Sequence, residues 1–258
     1  MESLAPTTKL LANLELLDPQ TRRIKSLVVL VTTGAFCPIH NGHIEMLESA
    51  KSAIEANQSA TVIAGFVSPT HDDYTSYKLD ALNVTASHRL EMCRLATCES
   101  IWLDVDPWEA RQRKFVDFPA VAKHLHEYLN ERCPQIRALL GAGVNLRVAY
   151  VCGADHALKC SLRSLRDGGV AVVLRSSGKR EQDQFLRATL EQMMLKQFGP
   201  KWWIKCCIAD GKTEMLNVSS SQVRSLVLAQ NRATFSLLCH PAVVQYFEEN
   251  GFWQGSAN

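Results

Sequence analysis

Six short apolar runs, each followed by a polar turn or a helical stretch, constrain this chain more than any other feature. They fall at 27–33, 61–67, 101–105, 147–152, 169–174 and 202–209. Runs of this length, bounded by turn residues, read as buried strands. Helical spacing of apolar residues occupies 41–56, 87–98, 118–132, 181–198, 219–228 and 241–250. Strands that alternate with helices pair in parallel, with the helices covering both faces. The predicted fold class is therefore α/β, a Rossmann-like doubly wound parallel sheet with a small C-terminal helical part. Such sheets bind ligands outside the C-terminal strand ends, where the strand order reverses. The polar and glycine-rich stretches after strands one, two, four and six should thus converge on one crevice. Between the elements, 70–85 reads as a surface loop, 134–145 as a glycine-containing linker and 176–180 as a loop. Residues 1–25 read as an N-terminal extension and 26–258 as the domain proper. Within the extension, Leu10, Leu11, Leu14, Leu16 and Leu17 fit a short amphipathic helix. It either packs on the domain or serves as a targeting or partner-binding arm.

Composition narrows the function classes. A net charge of +2 implies no bulk attraction to nucleic acid or to an anionic membrane. No apolar run approaches the ~18–20 residues of a membrane span, and the N-terminus lacks a secretory pattern. The nine cysteines are scattered, with no C-x-x-C pair. Cys93, Cys152, Cys206 and Cys207 fall in core segments and read as reduced thiols of an intracellular protein, cytoplasmic or nuclear. Oligomeric state stays open, a homo-oligomer included.

Two stretches carry chemistry. The first is Gly34-Ala35-Phe36-Cys37-Pro38-Ile39-His40-Asn41-Gly42-His43, at a strand-to-helix turn. Free backbone N–H groups and the positive end of a helix dipole suit a phosphate there. His40 and His43, three residues apart, can face the same spot. Gly42 in the first helical turn lets a flat base approach the backbone. The turn is neither a G-x-G-x-x-G nor a Walker loop; Gly211-Lys212-Thr213 lacks the glycine five residues upstream. Two other readings remain: ordinary histidines at a helix start, or Cys37, His40 and His43 as zinc ligands.

The second stretch is Asn217-Val218-Ser219-Ser220-Ser221-Gln222-Val223-Arg224. Three serines at a helix start with an arginine one turn on can form an anion cradle, although alone they describe only a well-capped helix.

Together the two stretches match Gly-x-Phe-x-Pro-x-His-x-x-His and Val-Ser-Ser-Ser-x-x-Arg, the paired signatures of the nucleotidylyltransferase superfamily. The segments between resemble the eukaryotic nicotinamide/nicotinate mononucleotide adenylyltransferases. They are Ser68-Pro69 with Asp72 and Tyr74, His88-Arg89, Val105-Asp106-Pro107-Trp108-Glu109, Cys152-Gly153-Ala154-Asp155, Arg175, and Pro241, Val244 and Phe247 in the tail. The resemblance runs from Val28 to Phe252 and makes 26–258 a nucleotidylyltransferase domain.

The resemblance implies a reaction of the mononucleotide with ATP, giving NAD or its deamido form and pyrophosphate. It implies His43, His40 and Arg224 as catalytic contacts, with His43 nearest the reacting α-phosphate. Gly34, Ala35, Phe36, Gly42, Gly153, Asp155, Ser220 and Ser221 would hold ATP and the dinucleotide. Magnesium would be bound through the ATP phosphates, not in a protein cage. Phe115 stands where the family carries a tryptophan against the pyridine ring; Lys78, Trp108 and Arg175 are further mononucleotide candidates. Trp108 reads first as structural, and Arg175 as a phosphate or ring contact or a salt-bridge residue. A second family aromatic has no counterpart, and 163–166 fills its region. A sister transferase acting on another phosphorylated acceptor would keep the two outer motifs. Outside these motifs, His124 and His126 read as exposed, Met193 and Met194 as core, and Trp202 and Trp203 as strand residues.

Overall fold

The computed structural model describes residues 4–56, 60–79, 84–141, 143–211 and 218–254, with the backbone alone at 23, 24, 76–79 and 254. Six parallel strands form one sheet: β1 (Ser26–Gly34), β2 (Ala60–Pro69), β3 (Leu103–Val105), β4 (Arg147–Gly153), β5 (Val170–Leu174) and β6 (Cys207–Asp210). Their order is β3-β2-β1-β4-β5-β6, the doubly wound arrangement. The chain builds outward from β1 to β3, then returns to the other side of β1 to lay down β4 to β6. The switch point therefore lies between β1 and β4, which pair from Val28↔Arg147 to Val31↔Tyr150.

β1 is the axis of the core. Leu27 to Val31 are all buried. Successive side chains point to opposite faces, and the two faces feed two separate apolar layers. Val28 and Leu30 join one layer with Leu47 and Ala50 of α3 (Asn41–Glu55), Leu90 and Met92 of α5 (Ala86–Thr97), and Val223, Phe235 and Phe247 of α10 (Ser220–Leu228), α11 (Arg232–Leu238) and α12 (Pro241–Glu249). Leu27, Val29 and Val31 join the other, with Leu10 and Leu14 of α1 (Thr8–Leu16), Val121 and Leu125 of α6 (Phe118–Glu127), and Leu190 and Met194 of α9 (Arg180–Phe198). α1 is thus a packed helix. Lys9 Nζ donates to the carbonyls of Thr97 and Leu103 at 2.9 and 2.7 Å, and Asn13 Nδ2 to those of Ile63 and Ile101.

Several sequence expectations are corrected. Residues 202–209 are not one strand: Trp202–Ile204 form a 3₁₀ turn with Trp203 and Ile204 exposed. β6 begins only at Cys207 because its partner β5 begins pairing there, at Ala171, so earlier residues have no ladder to join. Cys207 is half-buried, not core. The 70–85 loop contains α4 (Asp72–Leu79), whose Asp72 and Asp73 suit the positive helix start. The 134–145 linker contains α7 (Pro134–Leu140), which buries Ile136 and Leu140. Its proline and glycine are the first helical residue and the residue after the last, the usual places for each. The 118–132 helix ends its α-turns at Glu127 and continues as a π-turn. His124 is buried rather than exposed, and stacks on Trp108 at 4.0 Å and 8°. It lies beside the inward stripe of Val121, Ala122 and Leu125, which leaves it against the sheet. Among the described residues no helix is long and apolar enough to cross a membrane.

Gly65 sits where β2 meets the turn before β3. A Cβ there would lie 2.6 Å from the Trp102 ring and 2.7 Å from Leu103. Gly65→Ala should therefore overpack this layer and cost about 1–3 kcal/mol, read from urea unfolding. An unchanged midpoint would mean that the Trp102 ring moves freely.

Candidate active site

β1 runs out at Gly34 and the chain turns sharply before α3. Phe36 takes φ of +45°, an uncommon conformation for a residue with a side chain, and is almost fully buried. His40 caps α3, and its backbone N–H donates to His43 Nδ1 at 3.1 Å. That bond fixes the tautomer: neutral His43 carries its proton on Nε2. The His40 and His43 rings lie 3.7 Å apart, tilted by 34°, and Phe36 meets His43 edge-on at 4.9 Å.

Burial governs both imidazoles. It lowers His40, and with the smaller contribution of nearby Arg175 brings it down to about 4. His43 is held well below the usual histidine range by burial, then by His40 and Arg175. Both rings are neutral at neutral pH. His40 Nδ1 is buried with no protein partner.

The second motif arrives at the same point. Ser219 is spent on its own helix: its Oγ accepts from the Gln222 backbone, and its N–H donates to Gln222 Oε1 at 2.7 Å. Ser220 is left to face the turn. Its Oγ is 3.4 Å from both His40 Nε2 and His43 Nε2, across 180 and 177 residues of sequence. Arg224 clips α10 onto the turn, with Nη1 on the Cys37 carbonyl at 3.3 Å and Nη2 on Ser221 Oγ at 2.9 Å. The starts of α3 and α10 thus meet at one spot lined by imidazole, hydroxyl and guanidinium groups, a setting for a polyphosphate. Asn217 of this motif lies outside the described residues.

Gly34 and Ala35 floor the crevice, and Gly42 is buried in the first turn of α3. Gly153 ends β4 across the switch point; a Cβ there would meet nothing within 4 Å, so the space above it is open. Asp155 is exposed in the first turn of α8 (Ala154–Lys159). Arg175 leaves the end of β5, exposed. Phe115 and Trp108 lie farther off, on the segment after β3. Phe115 stacks on Tyr74 of α4 at 4.7 Å and 17°, while Trp108 packs on His124. Lys78 falls in α4, and its side chain lies outside the described residues. No three His, Cys, Asp or Glu among the described residues gather as a metal site, which leaves the zinc reading of Cys37, His40 and His43 unsupported. Two residues to which the sequence motifs assign no role have telling neighbours: Tyr74 faces Phe115, and Arg89 lies buried beneath the turn. A charge inside the apolar spacing of α5 is the sequence signal for Arg89.

Residues 31–226 match the family model described as cytidylyltransferase-like. Part of the chain is similar to nicotinamide/nicotinic acid mononucleotide adenylyltransferase 2 of Rattus norvegicus, 40% identical over 112 residues, covering 43% of this chain and 35% of that protein. The protein of the same name from Xenopus tropicalis is 34% identical over 130 residues, covering 47% of this chain and 41% of its own length. The matches thus span well under half of these relatives. A nicotinic acid mononucleotide adenylyltransferase of Plasmodium falciparum, solved with NaAD, has the same fold at a TM-score of 0.57 and 15% identity, covering 90% of this chain and 99% of its own. With the family match running from the middle of β1 into α10, and so enclosing both halves of the imidazole–serine contact, the chain belongs to the cytidylyltransferase-like family.

Proposed function

We propose that this chain is a nicotinamide/nicotinate mononucleotide adenylyltransferase, forming NAD or its deamido form from ATP. The observation that carries this reading is the meeting of Ser220 with His40 and His43 at two helix starts. The names of the partial relatives and of the structural neighbour support it.

A phosphate oxygen of the mononucleotide attacks the α-phosphorus of ATP. The new P–O bond forms as the bond to the β-phosphate bridge breaks, and pyrophosphate leaves with the electron pair. The attacking phosphate needs no general base, so the chain's task is positioning and charge stabilisation. His43 offers an Nε2 proton to the α-phosphate oxygens, where charge builds in the transition state. Ser220, Ser221 and Arg224 offer donors to the β- and γ-phosphates. Gly34, Ala35, Phe36 and Gly42 line the dinucleotide, and Asp155 beside Gly153 takes the adenosine ribose. No three carboxylates, histidines or cysteines gather as a metal site among the described residues; magnesium brought by ATP would neutralise part of the phosphate charge. On the other half, Phe115 takes the pyridine ring, with Lys78, Trp108 and Arg175 as further contacts.

Incubation with ATP, magnesium and each mononucleotide should yield NAD or deamido-NAD with one pyrophosphate. Pyrophosphate formed only with another phosphorylated acceptor, or only from CTP, would assign a sister transferase instead. His43→Ala should leave the fold intact and lower kcat about 10²–10³-fold, the usual loss for one such donor; normal turnover would remove it from the reaction. Phe115→Ala should mainly raise KM for the mononucleotide, and an unchanged KM would place the ring elsewhere.

Neutral imidazoles are central to this scheme and can be observed directly. The His40 ring signals should stay flat by NMR from pH 8 down through 5.5 and titrate near 4. A midpoint near the ordinary histidine value would mean that the pocket is wet.

A further inference from the structure

Arg89 is the bulkiest fully buried side chain of the described residues, and it carries a charge. Its guanidinium collects acceptors from two different strand ends. Nη1 donates to the Ala35 carbonyl, in the turn after β1, at 2.9 Å. Nη2 donates to the Thr70 carbonyl at 2.6 Å and to Asp72 Oδ1 at 2.8 Å, both after β2. A third strand end lies close by: Glu109, which follows β3, is within electrostatic reach of Arg89. Glu109 and its neighbour Asp106 are buried, each with one oxygen lacking a protein partner.

Burying a guanidinium costs several kcal/mol unless geometry and partners compensate, and apolar residues often serve stability as well. This charge therefore needs an explanation other than packing. Its planar fork fixes two carbonyls and a carboxylate at set angles, which a lysine point charge cannot reproduce. What those angles set is the start of α4. From there Tyr74 reaches Phe115, so the guanidinium fixes how the β2 and β3 segments stand against the β1 turn.

We propose that Arg89 is a positioning residue for the mononucleotide half of the crevice, holding the Tyr74–Phe115 wall at its distance from the Ala35 turn without touching substrate. This rests on the adenylyltransferase reading. Among the described residues, the ATP half, built on α3, α10 and β4–β6, hydrogen-bonds this fork at the Ala35 carbonyl alone.

The test compares wild type with Arg89→Lys and Asp72→Ala. Arg89→Lys should raise KM for the mononucleotide about tenfold and leave KM for ATP within about threefold. Asp72→Ala, which removes only the exposed acceptor, should move the same KM about threefold. Calorimetric titration of the mononucleotide should weaken in parallel, a readout independent of turnover. A purely structural loss would instead reduce the active fraction, cutting kcat with both KM values unchanged, and would overturn the proposal; so would equal weakening of both substrates. If Arg89→Lys does not fold, Asp72→Ala decides, and an unchanged mononucleotide KM there overturns it. Wild type that makes no NAD and binds no mononucleotide would refute the adenylyltransferase reading itself, and this inference with it.

Discussion

Parallel pairing on both sides of β1 is the constraint from which the rest follows. A strand buried on both faces and hydrogen-bonded on both edges has its direction and register fixed by four neighbours. Its C-terminal end is then the one place where the backbone must leave the sheet between layers, and there the ladder gives way to a turn with free N–H groups. Because β4 starts again on the opposite side of β1, the following segments diverge and leave open space above Gly153. α10 is packed by Val223 and Val227 into the same layer as α3, so its start arrives beside the start of α3. The contact between Ser220 and the imidazoles is a consequence of core packing on one face of the sheet.

The electrostatics of that gap follow from burial more than from net charge. The two imidazoles stay neutral because desolvation and the neighbouring Arg175 both disfavour protonation. Neutral N–H donors can sit against one another and against a hydroxyl at 3.4 Å without repulsion, which two imidazolium ions could not. Positive charge is supplied separately by Arg224 and Arg175, at the rim. A polyphosphate would meet fixed dipoles first and full charges around them, an arrangement prepared before the substrate arrives.

The sequence is most legible where one rule dominates. Apolar runs mark β1, β2, β4 and β5, because burial on both faces leaves little room for polar residues. The histidine turn and the serine–arginine start are each legible because each is short and local; their pairing comes with the resemblance. What is not legible depends on partners distant in sequence. β6 looks too long in the sequence because nothing in Trp202-Trp203-Ile204 says where β5 begins. α7 hides behind a proline and a glycine that look like loop signals until the buried pair Ile136 and Leu140 is seen between them. The polarity of His124 suggests exposure, while its position is set by Trp108, sixteen residues back. Phe115 is picked out through the resemblance; its pairing with Tyr74 is not legible, since neither residue's spacing encodes the other.

Buried ionisable groups on the two halves of the crevice pull stability in opposite directions with pH. His40 is lowered in the folded chain, so the unfolded chain binds its proton first, and stability is lost as pH falls from 6.5 towards about 4. Glu109 is raised by burial, then by Asp106, from 4.5 to about 8, so the folded chain holds the extra proton and stability is lost as pH rises through that window. Asp106, raised by burial to about 6, acts in the same sense as Glu109. A tenfold change in proton affinity on folding is worth about 1.4 kcal/mol, so neither side is negligible. Between roughly pH 4.5 and 6.5 the His40 and Glu109 slopes oppose one another, and from 6.5 towards 8 the Glu109 slope continues. A crevice that keeps its histidines neutral by burial would alone make the fold acid-sensitive. Buried carboxyls under the neighbouring strand ends counter that sensitivity, and one of them, Glu109, lies within electrostatic reach of Arg89.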